Sequence, residues 1–197
     1  MNYNLYNIDE VEVPFSPKWN NIAISLSGGA DSALLGHLIC ELVAQHNPNM
    51  CIHVISHIRM WKKRPWQQYD ALRVYNYLTE KFNNLNFTRY TNLVAPDLEY
   101  GYIGHSIIDE YGKKVSGDNI QIRAFSEYVC YHNKVDAYFN AVTRNPKNVP
   151  FEHMGMNTRD VDPTESNAHL ERMTHMGFLV SHPFRFMEKS WVIKQYK

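Results

Sequence analysis

From Ile22 to Leu26 the chain sets Ile22, Ile24 and Leu26 on one side of an extended segment and the small Ala23 and Ser25 on the other, which predicts a short strand. Directly after it, Leu34, Leu35, Leu38, Ile39, Leu42 and Val43 recur at the spacing of one helical face, and Asn47-Pro48-Asn49 ends the pattern. The alternation continues. Cys51 to Ile58 is predicted as a second strand, and Trp66 to Phe82 as a second helix with apolar residues at 66, 69, 72, 75, 78 and 82. Asn86 to Tyr90 follows as a third strand, Asn119 to His132 as a helix and Val135 to Val142 as a fourth strand. Phe178 to Val180 is a fifth strand before Pro183, and a last short helix starts near Met187. Met1 to Asn21, with Pro14 and Pro17, is expected to form an N-terminal arm or an edge strand.

Strands alternating with helices predict an α/β fold: an open, mostly parallel sheet with helices on both faces, Rossmann-like in organisation. Such sheets bind ligands beyond the carboxyl ends of their strands, where strand order reverses. Two connections, Asn92 to Asp118 and Asn145 to Gly177, are too long for plain linkers in a compact domain and are expected to carry the substrate. At 197 residues the chain is expected to be a single domain over 1–197.

Composition narrows the function classes. Lys plus Arg and Asp plus Glu both total 20, so no global basic field announces nucleic-acid binding, although tRNA stays open as a partner. Cys40, Cys51 and Cys130 are odd in number and widely spaced, which fits neither a disulfide framework nor a CxxC metal site and points to a reducing, cytoplasmic setting. No stretch approaches the ~20 apolar residues of a membrane span, so no membrane partner is expected.

The candidate chemistry sits after the first strand. In Ser27-Gly28-Gly29-Ala30-Asp31-Ser32, two adjacent glycines tolerate positive φ and leave backbone N–H groups unshielded, while the following helix directs its positive end at the same spot. That is an anion cradle. Ser27 and Ser32 add hydroxyls, and a carboxylate at Asp31 among phosphates makes sense as a partner of Mg²⁺ or of a donor. The Walker pattern is absent, because Gly112-Lys113 is followed by Lys114 and preceded five residues earlier by Ile107; Gly101 and Gly104 do not have GxGxxG spacing.

Ser27 to Ser32 matches the SGGxDS signature, and the chain resembles the PP-loop ATP pyrophosphatases, the adenine nucleotide alpha hydrolase-like superfamily, which carry it directly after the first strand. The resemblance implies cleavage of ATP between its α and β phosphates, giving an adenylated substrate and pyrophosphate. Asn119-Ile120-Gln121-Ile122-Arg123, the strand from Val135 to Arg144, and Pro183-Phe184 with Lys189 are similar to the 7-cyano-7-deazaguanine synthase branch. That branch implies a small carboxylate acceptor, ammonia as the second substrate and a role in queuosine and other deazaguanine pathways. The carry-over assigns ATP binding to Ser25, Leu26, Ser27, Gly28, Gly29, Ala30, Asp31, Ser32, His57 and Arg123, and catalytic roles to Asp31, Ser32 and Lys189. Mg²⁺ is assigned to Asp31.

The chain departs from that branch twice. The synthases end in a zinc-binding cysteine cluster, whereas the last cysteine here is Cys130, so no zinc is implied and a C-terminal truncation is the expectation; and Pro146-Lys147-Asn148 stands where those enzymes usually carry acidic residues. A tRNA-modifying or other amide-forming PP-loop enzyme, and a non-catalytic ATP-binding module, are the alternatives, and a homodimer stays open.

In the second long connection, expected to act as a lid, Arg144, Arg159 and Asp160 are candidate acceptor-binding residues, Arg159 because a planar guanidinium grips a carboxylate with two parallel hydrogen bonds. His169 and His175 are six apart, the wrong spacing for a helical zinc pair. Cys130 among Tyr128, Val129 and Tyr131 reads as a buried structural thiol rather than a sulfur carrier. Trp61-Lys62-Lys63-Arg64-Pro65-Trp66 reads as a solvated loop over the adenine side of the site, with base stacking as the alternative.

Overall fold

The computed structural model describes residues 2–8, 10–59, 66–94, 106–108, 114–143, 170–173 and 177–196. Strands β1 (Asn4–Ile8) and β2 (Val11–Phe15) come first, then β3 (Asn21–Ser25), helix α1 (Ala30–His46), β4 (Cys51–Ile58), α2 (Gln67–Lys81) and β5 (Asn86–Leu93). After β6 (Ser106–Ile108) and β7 (Lys114–Ser116) come α3 (Gly117–His132), β8 (Ala137–Phe139), β9 (Leu170–Met173), β10 (Phe178–Ser181) and α4 (Lys189–Lys194).

The main sheet has six strands in the order β5-β4-β3-β8-β10-β9. Five are mutually parallel, and β9 adds an antiparallel edge against β10. From β3 the chain moves outward through β4 and β5, then returns to place β8 on the other side of β3. The switch point of the sheet therefore lies between β3 and β8, and the fold is the expected α/β, Rossmann-like one.

Alternation along β3 sorts the core into two layers. Ile22 and Ile24 face a layer built with Leu35, Leu38, Ile39, Leu42 and Val43 of α1, Leu78 of α2 and Val192 of α4. Ala23 faces the opposite layer, where it meets Val129 and Cys130 of α3 together with Ile55, Tyr138 and Val180. Helices thus cover both faces: α1, α2 and α4 on one, α3 on the other.

The N-terminal segment forms its own antiparallel hairpin, β1 with β2, outside the main sheet. Val11, Val13 and Phe15 are fully buried in the α1 layer, and both Tyr6 and Phe15 contact the His46 ring at the end of α1. The arm is thus a packed element, and the edge-strand alternative does not describe it.

Three expectations about elements need correction. The stripe Trp66, Tyr69 and Leu72 points outward, with Trp66 and Tyr69 more than half exposed, while Ala71, Val74, Tyr75, Leu78 and Phe82 face the core. A strict spacing of three drifts around a helix of 3.6 residues per turn, so it cannot hold one face. β8 covers only three residues instead of reaching Val142, because the chain leaves the sheet after Phe139 and turns toward α1. Strands also occur inside both long connections: β6 pairs with β7 in the first, and β9 joins the main sheet from the second.

Candidate functional site

The segment after β3 turns tightly. Leu26 still donates its amide to the Ile55 carbonyl at 2.8 Å, extending the sheet by one residue. Gly28 then takes φ +80°, a left-handed conformation that costs an L side chain free energy. A Cβ at Gly28 would overlap the Ala71 backbone nitrogen and lie 2.6 Å from the Asp70 carbonyl carbon. The loop is therefore pressed against the first turn of α2, and only glycine fits.

Hydroxyls close the loop on itself. The Ser27 amide donates to Ser32 Oγ at 3.1 Å, the two serine hydroxyls are 3.1 Å apart, and Ser32 Oγ donates to the Gly29 carbonyl at 3.0 Å. Gly29 is the N-cap of α1 and supplies no side-chain cap. The first amides of a helix lack intrahelical acceptors, so this uncapped end offers its donors to an anion.

Asp31 stands in that first turn and gathers residues from other strands. Its Oδ2 accepts from Thr143 Oγ1 at 3.2 Å and from Lys189 Nζ at 3.4 Å. Its Oδ1 is buried and has no hydrogen-bond partner among the described residues. Thr143 follows β8, and Lys189 opens α4 after β10. Since β3, β8 and β10 are neighbours, the three side chains meet beyond the carboxyl ends of adjacent strands, at the switch point. At the far end of α4, Tyr196 donates its hydroxyl to the Ala30 carbonyl at 2.6 Å.

Of the residues expected at the site, the structure brings Ser27, Gly28, Gly29, Ala30, Asp31, Ser32 and Lys189 together, with Ser25 and Leu26 leading into the loop. Thr143 and Tyr196 join them without having been anticipated. Thr143 had a signal in the sequence, as a hydroxyl two to four residues beyond a parallel strand. Tyr196 had none, because its place depends on how α4 packs along α1.

Two further residues expected to contact the nucleotide, His57 and Arg123, are engaged with partners of their own. His57 is buried on the α3 side of the sheet, with Nε2 3.0 Å from Ser126 Oγ and Nδ1 3.3 Å from the Asn92 amide nitrogen. With its proton on Nε2 the imidazole donates to Ser126 and accepts from Asn92. Burial, with a smaller contribution from the Arg59 charge, lowers its pKa to about 4, so the ring is neutral at pH 7. Ser126 Oγ lies 3.3 Å from the Tyr138 hydroxyl, which also hydrogen-bonds Ser25, so the network ends beneath the glycine loop. Arg123 is exposed on α3, where Nε donates to Glu127 at 2.6 Å, across the sheet from α1. Arg144, Arg159 and Asp160, with His169, His175 and the segment 61–65, fall outside the described residues.

All three cysteines are free. Burial raises the pKa of both Cys40 and Cys130 to about 12, so these thiols stay protonated at neutral pH. They lie in opposite core layers. Among the described residues no group of three His, Cys, Asp or Glu side chains is arranged to hold a metal ion, and no helix is long and apolar enough to cross a membrane.

No family model and no curated protein matches this sequence. Solved structures share its fold. The U34-tRNA thiolase NcsA from Methanococcus maripaludis, a structure with its [4Fe-4S] cluster, superposes with a TM-score of 0.55 at 16% identity over 90% of this chain. The chain spans 56% of the thiolase's length. The NH3-dependent NAD synthetase from Campylobacter jejuni subsp. jejuni NCTC 11168, in complex with nitrate, aligns over 64% of this chain and 48% of its own at 16% identity. Its TM-score of 0.35 does not establish a common fold.

Proposed function

We propose that this chain is an ATP-dependent, AMP- and pyrophosphate-forming enzyme of the PP-loop type, acting in the cytoplasm on a small carboxylate and ammonia, as a 7-cyano-7-deazaguanine synthase does. The observation that carries the reading is the convergence of Asp31, Thr143 and Lys189 beside an uncapped helix start and a glycine-constrained loop. These parts suit a reaction limited by charge. A carboxylate is already a nucleophile, so the enzyme's work is to place it in line with the α-phosphorus and to stabilise the charge on the departing pyrophosphate.

In the first step a carboxylate oxygen bonds to the α-phosphorus while the bond from that phosphorus to the bridging oxygen breaks, releasing pyrophosphate. In the second, ammonia adds to the acyl carbon and AMP leaves, carrying the electron pair of the broken C–O bond. The loop amides and the start of α1 would receive the phosphates, and Lys189 would balance the growing negative charge. Asp31 suits a Mg²⁺ ion, because its Oδ1 is buried without a partner and Mg²⁺ is commonly held by one or two carboxylates together with substrate phosphates. When bound, the ion would neutralise phosphate oxygens.

The thiolase likeness raises sulfur transfer as a second reading. Two of the chain's three thiols do not favour it: Cys40 and Cys130 are buried on opposite faces of the sheet with pKa values raised to about 12. Incubation with ATP, Mg²⁺, ammonia and a panel of small carboxylates is expected to yield AMP and pyrophosphate in equal amounts, dependent on the carboxylate. Formation of ADP and phosphate alone rejects the reading.

A further inference from the structure

Helix α4 touches the phosphate loop at both ends. At its start, Lys189 Nζ lies 3.4 Å from Asp31 Oδ2; beyond its end, the Tyr196 hydroxyl lies 2.6 Å from the Ala30 carbonyl. Between those points Val192 is fully buried against the α1 layer, and Trp191 packs on Phe184 with ring centroids 5.3 Å apart. The helix is thus a short rigid bar whose two polar contacts fall on consecutive residues, Ala30 and Asp31.

We propose that Tyr196 is a positioning residue for the phosphate loop: by holding the Ala30 carbonyl it fixes the first turn of α1, and with it the direction of the Asp31 carboxylate. The inference rests on the function proposed above. Three observations support it. The tyrosine ring is largely exposed, with 56% of the residue accessible, so the residue contributes little core packing, and its hydroxyl donates to the Ala30 carbonyl at the start of α1. The Ala30 carbonyl follows directly on the Gly29 carbonyl, which accepts the Ala33 amide at 3.0 Å in the first i to i+4 backbone hydrogen bond of α1, so the hydroxyl holds the helix within its first turn. Finally, α1 begins at a glycine without a side-chain cap, so a bond from α4 to its first turn adds to the few that hold it, those of Ser32 within the loop and of Thr143 and Lys189 to Asp31.

Lys189 already neutralises one carboxylate oxygen, while the other is buried and unpartnered. A first turn that frays would turn that second oxygen away from an incoming cation. Tyr196 would therefore act on cation-dependent nucleotide binding, with the peptide itself left able to bind metal-free nucleotide through its amides.

The test compares the wild-type chain with Tyr196→Phe, which removes the hydroxyl and keeps the ring. In calorimetric titrations, Tyr196→Phe is expected to weaken ATP binding in the presence of Mg²⁺ by about fivefold to tenfold, the size of one lost hydrogen bond. Binding of ATP in EDTA and the thermal midpoint are expected to stay as in the wild type. On the nucleotide-free chain, backbone amide exchange at residues 33 and 34, the first amides of α1 with intrahelical acceptors, is expected to accelerate by a similar factor. Unchanged exchange there overturns the proposal whether or not the chain uses ATP. Faster exchange with no ATP binding by the wild type rejects the proposed function instead and leaves the tether standing. Equal weakening with and without Mg²⁺ also overturns the positioning role, since it would make Tyr196 a general support of the loop.

Discussion

Asp31 is mostly buried, yet among the described residues one of its two carboxylate oxygens is engaged and the other has no partner. A carboxylate kept for structure would be expected to satisfy both oxygens, because an unmade hydrogen bond in a buried place costs on the order of 1–3 kcal/mol. Asp31→Asn is therefore expected to lower kcat/KM for pyrophosphate release by about 100-fold or more. The same change should move the urea unfolding free energy by less than about 1 kcal/mol, since the Lys189 partner is half exposed and such pairs contribute little. A large stability loss with retained activity would return Asp31 to a structural role. His57 has the opposite character, with both ring nitrogens engaged inside the protein and its pKa lowered to about 4 by burial first and by Arg59 second. The unfolded chain takes up a proton near pH 6.5 that the folded chain refuses until about pH 4, so His57 leaves stability intact above pH 6.5 and lowers it as pH falls across that window. Denaturation midpoints measured from pH 7 to pH 4 should show this fall, and His57→Gln should flatten it, leaving the smaller contribution of His53, whose pKa burial also lowers.

At the scale of elements, the turn from β3 into α1 was readable because its glycines and serines are local signals, and the structure adds what a local pattern cannot contain. Nothing in the sequence near Gly28 says that the backbone of Asp70 and Ala71 lies against it, some forty residues on. Gly28→Ala must fit a methyl group against that backbone while holding φ at +80°, so it is expected to destabilise the fold by about 2 kcal/mol or more and to lower the thermal midpoint by about 4–8 °C. A midpoint within 1 °C of wild type would mean that α2 and the loop are not in contact. Other elements were legible to different degrees for similar reasons. The buried face of α1 is fixed by its own spacing, and Leu34, Leu35, Leu38, Ile39, Leu42 and Val43 are all buried. In α2 the apolar Trp66, Tyr69 and Leu72 lie on the exposed side, and the small Ala71 with Leu78 and Phe82 marks the true contact. The β1–β2 turn escaped notice because it carries Glu10 at φ 73°, without a glycine or asparagine to announce it. The site was legible within one loop and at Lys189, only faintly at Thr143 beyond β8, and not at all at Tyr196 beyond the end of α4.

Over the whole molecule the two ends of the sheet are put to different uses. At the carboxyl ends of the strands, Asp31, Thr143 and Lys189 meet with one oxygen left open. At the amino ends the polar groups close on one another. Asp136 Oδ2 accepts the amides of Asn20 and Asn21 at 2.9 and 3.3 Å, and the Asp136 amide returns a bond to the Asn21 carbonyl at 2.8 Å. Nearby, Asn47 Nδ2 donates to the carbonyls of Pro17 and Trp19 at 3.1 and 3.0 Å, tying the end of α1 to the segment that enters β3. These bonds join elements distant in sequence. Asp136→Ala removes the one oxygen that accepts the Asn20 and Asn21 amides at the start of β3 and β8, the pair of strands that defines the switch point, and keeps the Asp136 backbone bond. It should cost about 1–2 kcal/mol and lower the thermal midpoint by about 3–6 °C. Below that midpoint, kcat and the KM for ATP should match the wild type, because the two strands are still held by their own ladder and the site lies at their other end. A loss of activity in Asp136→Ala comparable with that of Asp31→Asn, measured on folded protein, would show that the spacing of β3 and β8 is set from the amino end and that the two ends are not independent.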